Sequence, residues 1–188
     1  MKHKHQNHTR AEIRISRRNF LRKTVSILLL LLCIIPMLGG GVQPLWVIPA
    51  AICIAAREDF YFSMAAGVIA GFGIDIACNN VLGANAIFMV CFCAAVTFLF
   101  TQLLRPGFFN YLWLTALCAF LRAGLLFFLT AAIFRTEGRE TLWQTVLLPS
   151  SLLTILAAVP VYLLYLPCIK LLTSRVRTMD AAAIRRDW

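Results

Sequence analysis

The chain has 188 residues, of which 61% are apolar and 14% charged, and its mean hydropathy is +0.81. A soluble domain carries about 25% charged residues, so the polar side chains are too few to cover a water-facing globule, and disorder and disulfide scaffolds fail on the same numbers. Six spans of about 20 residues would use roughly 120 positions, about what the apolar fraction supplies. This predicts an all-α polytopic membrane protein with six transmembrane helices, short loops and two tails.

Residues 1–23 form a basic tail in which Lys2, Lys4, Arg10, Arg14, Arg17, Arg18, Arg22 and Lys23 precede the first apolar run. If helical, the tail sets most of its arginines on one face, which predicts an interfacial helix on anionic lipid at about 1 kcal/mol per charge. The first span, 24–38, runs into Pro36-Met37-Leu38-Gly39-Gly40-Gly41 with no small-x-small cleavage site and reads as a retained signal anchor. The glycines turn the chain into a second segment, 42–56. Its length covers only about 22 Å, short of a hydrocarbon core of about 30 Å. Pro44 and Pro49 lie inside it, so it is either a short, irregular span or a re-entrant one.

Span three covers 60–78, and Asn79-Asn80-Val81-Leu82-Gly83 turns the chain into span four, 84–104, which Arg105-Pro106-Gly107 ends. Span five covers 111–134, a charged loop follows at 135–140, and span six covers 142–172 with Pro149, Pro160 and Pro167 inside it. A kink is expected near Pro160. The transmembrane domain is therefore 24–172, and 173–188 is a basic C-tail.

Charge tests this layout. With the N-terminus inside, 15 of the 18 Lys and Arg fall on the cytoplasmic side, two (Arg135 and Arg139) fall outside, and Arg122 lies within span five. That imbalance predicts six spans with both ends cytoplasmic. Trp46, Trp113, Trp143, Tyr61 and Tyr111 mostly fall near span ends, as an interfacial aromatic belt does. The net charge of +10 thus reads as topology signal and anionic-lipid contact, and no zinc, RNP or Walker pattern supports nucleic acid.

Seven cysteines raise the question of a metal, above all Cys91-Phe92-Cys93. Residues two apart on a helix point about 200° away from each other, so that pair cannot chelate one ion, and cysteines in apolar spans act as small hydrophobes. His3, His5 and His8 are the only histidines and sit in the N-tail. No positioned base stands beside a nucleophile in the membrane, so no catalytic residue, metal or cofactor is expected.

The most informative residues are in span three, where Ser63, Gly67, Gly71 and Asp75 recur every four positions and Asn79 extends the row. Such a seam, with a GxxxG at Gly67 and Gly71, lets another helix approach backbone to backbone, either inside the bundle or on a partner. Asp75 is ionisable, and such a group in hydrocarbon costs about 3 kcal/mol or more unless paired or hydrated. Arg122 is its natural counter-ion, although counting sets the two about 10 Å apart in depth; Gln102 and Gln43 are alternative partners for Arg122.

The stretch Ala65-Ala66-Gly67-Val68-Ile69-Ala70-Gly71-Phe72-Gly73-Ile74-Asp75-Ile76, followed by Asn79-Asn80-Val81-Leu82-Gly83-Ala84-Asn85-Ala86, resembles the signature of the bacterial rod shape-determining MreD family. That signature has a Gly-rich helix ending in Gly-x-x-x-Asp, a polar turn, Leu-Gly and a small-residue helix start. The basic N-tail, the Pro-containing second span and the hydropathy layout extend the resemblance over most of the chain. It implies a non-catalytic inner-membrane scaffold of the cell-elongation machinery, the elongasome. Such a scaffold works with the bitopic protein MreC, with RodA and its penicillin-binding protein in peptidoglycan synthesis, and indirectly with MreB. The family also resembles in fold the substrate-binding S components of energy-coupling-factor transporters, which supplies an alternative. Those commonly carry Ala-x-x-x-Ala in the first span, whereas span one here contains no alanine.

Overall fold

In the computed structural model, residues 10–39, 43–79, 82–105, 107–129 and 143–173 are described, and helix is the only regular structure among them. Among the described residues the α-helices are α1 (Arg10–Ile34), α2 (Val47–Ala55), α3 (Phe60–Ala77), α4 (Ala84–Gln102), α5 (Phe108–Leu129) and α6 (Leu148–Thr173). A 3₁₀ turn (Ile35–Gly39) closes α1, and a π turn (Trp143–Leu147) leads into α6. Among the described residues, five segments are long and apolar enough to cross a membrane: Asn19–Gly39, Phe60–Ala77, Ala84–Gln102, Phe108–Leu129 and Trp143–Pro167. Their outward side chains, among them Leu28, Leu32, Ile87, Phe98, Trp113 and Leu156, are large, apolar and exposed. A helical bundle with such an exterior has the build of a multi-pass membrane protein.

The basic stretch and the first span are one helix, since α1 runs unbroken from Arg10 to Ile34. The basic residues from Arg10 to Lys23 therefore lie on an N-terminal extension of the span, with no break at residue 23 to make them a separate surface helix. Span five begins earlier than the sequence suggested, at Phe108, and α6 continues through Pro160 and Pro167. The 135–140 loop, Asn80 and the histidines of the N-tail lie outside the described residues.

The second segment departs most from a membrane-crossing helix. Only nine residues of it are helical, about 13 Å of rise, and all nine are buried. Every other helix packs against α2, which stands as a short post inside a ring of α1, α3, α4, α5 and α6. Pro49 is tolerated because it falls in the first turn, where its missing N–H has no intrahelical acceptor to lose. The lead-in at 43–46 is not helical, and α6 satisfies its backbone instead. The Leu45 N–H donates to Thr154 Oγ1 at 2.9 Å, and Ser150 Oγ donates to the Gln43 carbonyl at 3.0 Å.

α2 also returns the chain to the level at which α1 entered. The Arg22 guanidinium meets the Glu58 carboxylate at 2.7 and 2.8 Å, and Lys23 Nζ lies 2.8 Å from Asp59 Oδ2. Residues 43–59 thus run antiparallel to α1, from the Gly39 end to the Arg22 end.

Candidate functional site

Among the described helices the closest packing is between α3 and α4, and the small residues of α3 explain it. Ser63, Gly67, Gly71 and Asp75 are all buried on the side that faces α4. A Cβ on Gly67 would stand 2.9 Å from the Met89 carbonyl oxygen; one on Gly71 would stand 2.6 Å from that of Asn85 and overlap the Ala86 backbone. The two backbones therefore touch, and any side chain at either glycine would drive them apart.

This approach carries Asp75 to the start of α4. The chain reverses through Asn79 (φ 51°) and Gly83 (φ 97°), and Gly83 becomes the N-cap of α4 with no side chain to offer. Asp75 supplies the missing acceptor from the preceding helix. Its Oδ2 accepts the Gly83 N–H at 2.8 Å, and its Oδ1 accepts Asn85 Nδ2 at 2.6 Å and the Asn85 N–H at 3.4 Å. First-turn N–H groups lack intrahelical acceptors, and their partial positive charge favours a carboxylate there.

The chain of contacts then continues across α4 into α5. Asn85 Oδ1 accepts the Arg122 Nε–H at 2.8 Å, and Asp75, Asn85 and Arg122 are 1%, 3% and 5% exposed. The amide uses its two ends for opposite jobs, its NH₂ facing the carboxylate and its oxygen facing the guanidinium. One negative and one positive group thus share a neutral bridge in a low-dielectric interior, where either charge alone is costly.

A second polar cluster lies at the opposite end of the α3/α4 seam. Thr97 Oγ1 is 2.8 Å from Ser63 Oγ and 3.0 Å from the Ala55 carbonyl, one of the acceptors left open where α2 ends. Beyond it lies the Arg22 end. There Glu58 is buried beneath α1, and desolvation raises its carboxyl pKa above the ordinary range against the pull of Arg22 and Lys23. The exposed Asp59 carboxyl is held low by its hydrogen bond from Lys23, whose ammonium also lies 5.2 Å from the Phe62 ring centroid.

Of the residues singled out from the sequence, the structure gathers Asp75, Gly71, Gly83 and Arg122 at one end and sets Ser63 at the other. Asn79 forms the exposed turn. Gln102, expected as an intramembrane polar residue and as an alternative partner for Arg122, lies at the end of the apolar α4 segment and does not meet Arg122. It is exposed as the last residue of α4, about 25 Å along that helix from Asn85. Asp75 and Arg122 meet through Asn85, which spans the depth difference that counting had set between them. Asn85, Thr97 and Glu58 were not singled out. The available signal was on α4, where Asn85, Met89, Cys93 and Thr97 repeat the four-residue step of the α3 seam and form its antiparallel counterpart. Of the Cys91 and Cys93 pair, the first is exposed and the second buried, on opposite sides of α4.

Comparison with family models, with curated proteins and with solved structures finds no match to this chain.

Proposed function

We propose that the chain is a non-catalytic scaffold of the bacterial inner membrane, of the MreD kind, that supports rod shape and lateral peptidoglycan synthesis. In this reading it crosses the membrane six times with both ends in the cytoplasm. It associates with an MreC-like bitopic protein and with RodA and its penicillin-binding partner, meets MreB indirectly, and rests its basic tails on anionic lipid. The observation that carries the reading is the convergence of the resembling stretch itself. Gly67, Gly71, Asp75 and Gly83, which carry the resemblance in sequence, form one packed unit with Asn85. The polar groups of that unit are taken up by one another, which suits a rigid shape offered to partners better than a reacting group. Six crossings are supported by the return of residue 58 to the level of Arg22, because a segment that re-entered would leave Glu58 near Gly39.

Co-purification in mild detergent tests the proposal. Recovery of MreC-like and RodA-type proteins is the expected result, whereas recovery of an ATPase coupling module would replace this reading with the transporter one. Asp75→Asn, at wild-type abundance, is expected to reduce that association and round the cells; normal association and shape would leave Asp75 a structural residue only. Reporter fusions after Asp59, Gly107 and Trp188 are expected to report cytoplasm, and those after Asn80 and Gly138 the outside.

A further inference from the structure

The long helices are unevenly joined. α4 packs along α3 and α5 along α6, while α4 and α5, although consecutive, touch only sparingly. At one end their seam is fastened by the Arg122 to Asn85 hydrogen bond. At the other, the Arg22 end, it opens into a depression of about 230 Å³, its open side included, lined by Arg57, Phe100, Gly107, Tyr111 and Tyr162 among others.

The chemistry of that depression is one-sided. Arg57 is half-exposed at the end of α2, and no described carboxylate answers it, because Glu58 is held by Arg22, Asp59 by Lys23, and Asp75 lies at the far end of the bundle. Arg105, exposed in the loop just before Gly107, adds a second positive charge on the same side. The walls are aromatic. Tyr111 presents only its ring, since its hydroxyl donates to the Ala158 carbonyl at 3.1 Å, and Tyr162 lies between Tyr111, tilted against it at 4.9 Å, and Phe108, edge-on at 5.2 Å. Its enclosed space is only about 10 Å³, room for about one water. A phosphate would therefore rest at its mouth, on Arg57, with the adjoining glycerol over the aromatic rim and the acyl chains running down the α4/α5 seam in the bilayer. Guanidinium with aromatic rings at a membrane boundary is a combination suited to a phosphodiester.

We propose that the open end of the α4/α5 seam is a seat for one anionic phospholipid, its phosphate on Arg57 and its glycerol region against Phe100 and Tyr162. Assigning that lipid to the inner leaflet rests on the orientation proposed above; binding to purified protein has no sidedness, so failure of one leaves the other standing.

The test is native mass spectrometry of the full chain released from micelles containing phosphatidylglycerol, with phosphatidylcholine micelles and with inorganic phosphate as separate arms. One phosphatidylglycerol is expected to stay bound after the loosely held lipid is stripped. Arg57→Gln is expected to weaken retention about tenfold, the loss of one charge-assisted contact. Gly107→Leu keeps every charge and is tolerated at its own position, where the nearest atom to a new Cβ is 3.8 Å away, so it is expected to displace the lipid by filling the depression. Arg17→Gln, on the exposed part of α1, removes an equal charge and is expected to leave the retained lipid in place. Unchanged retention in Gly107→Leu, equal losses in Arg57→Gln and Arg17→Gln, or full protection by inorganic phosphate would each overturn the proposal. The last would point to a soluble phosphate as the ligand.

Discussion

The two ends of the bundle neutralise their charges in different ways. At the Asp75 end a carboxylate and a guanidinium, both buried, are joined through an amide. At the Arg22 end the ion pairs are direct, and one side of each stays open, with 20% of the Arg22 side chain and 71% of that of Asp59 exposed. Exposure decides what breaking each contact costs, because a charge stranded near water is rehydrated whereas one stranded among helices is not.

The largest expected effect follows from that difference. Arg122→Met leaves Asp75 without its distant counter-charge and Asn85 without its donor, and is expected to cost about 3 kcal/mol or more. Arg22→Met, measured by the same reversible unfolding in mixed micelles, is expected to cost about 1 kcal/mol. Burial already raises the Glu58 carboxyl, which lessens the cost of losing Arg22 beside it. Equal losses would mean that the ends do not differ in the way their exposure says.

Packing gives the next contrast. Gly71→Leu has to force the Ala86 backbone away and is expected to cost about 3 kcal/mol, at the upper end of overpacking penalties. Gly124→Leu in α5 meets nothing within 4 Å and is expected to change stability by less than about 0.5 kcal/mol. Matching losses in unfolding free energy would show that the α3/α4 contact is looser than its geometry.

The smallest effect is the pH response of the Arg22 end, where neighbouring carboxyls slope in opposite directions. Burial raises Glu58 from its ordinary 4.5, so its contribution to stability is present below 4.5 and is lost as pH rises through the raised value. Lys23 lowers Asp59 from its ordinary 3.8, so its smaller contribution is present above 3.8 and is lost as pH falls through the lowered value. In thermal unfolding from about pH 4 to about pH 8, Glu58→Gln is expected to flatten the downward slope above 4.5. An unchanged slope would assign it to other groups.

Much of this was legible in the sequence, and where it failed the reasons are physical. Hydropathy locates the long helices because lipid demands an unbroken apolar run, and the four-residue step of Ser63, Gly67, Gly71 and Asp75 marks a close-packing face because only small residues permit one. The second segment resisted reading because α2 meets no lipid: a short post wrapped by five helices is apolar all round, so its sequence resembles that of a span cut short. Counting along helices also separated Asp75 from Arg122 in depth, since it measures each residue from its own helix end and takes no account of an intervening side chain. Asn85 was hidden by its place in a turn-like run of small and polar residues, where an asparagine at a helix start reads as local chemistry. Its partners lie on two other helices.

The central claim is that Asn85 transmits the interaction between Asp75 and Arg122, and a double-mutant cycle tests it most directly. Asp75→Asn and Arg122→Met are measured singly and together, first in the wild-type chain and then with Asn85→Ala. The account predicts a coupling of about 1 kcal/mol or more in the wild-type background that falls to near zero once Asn85 is truncated. Additive effects in the wild-type chain, or a coupling that survives the loss of Asn85, would contradict it.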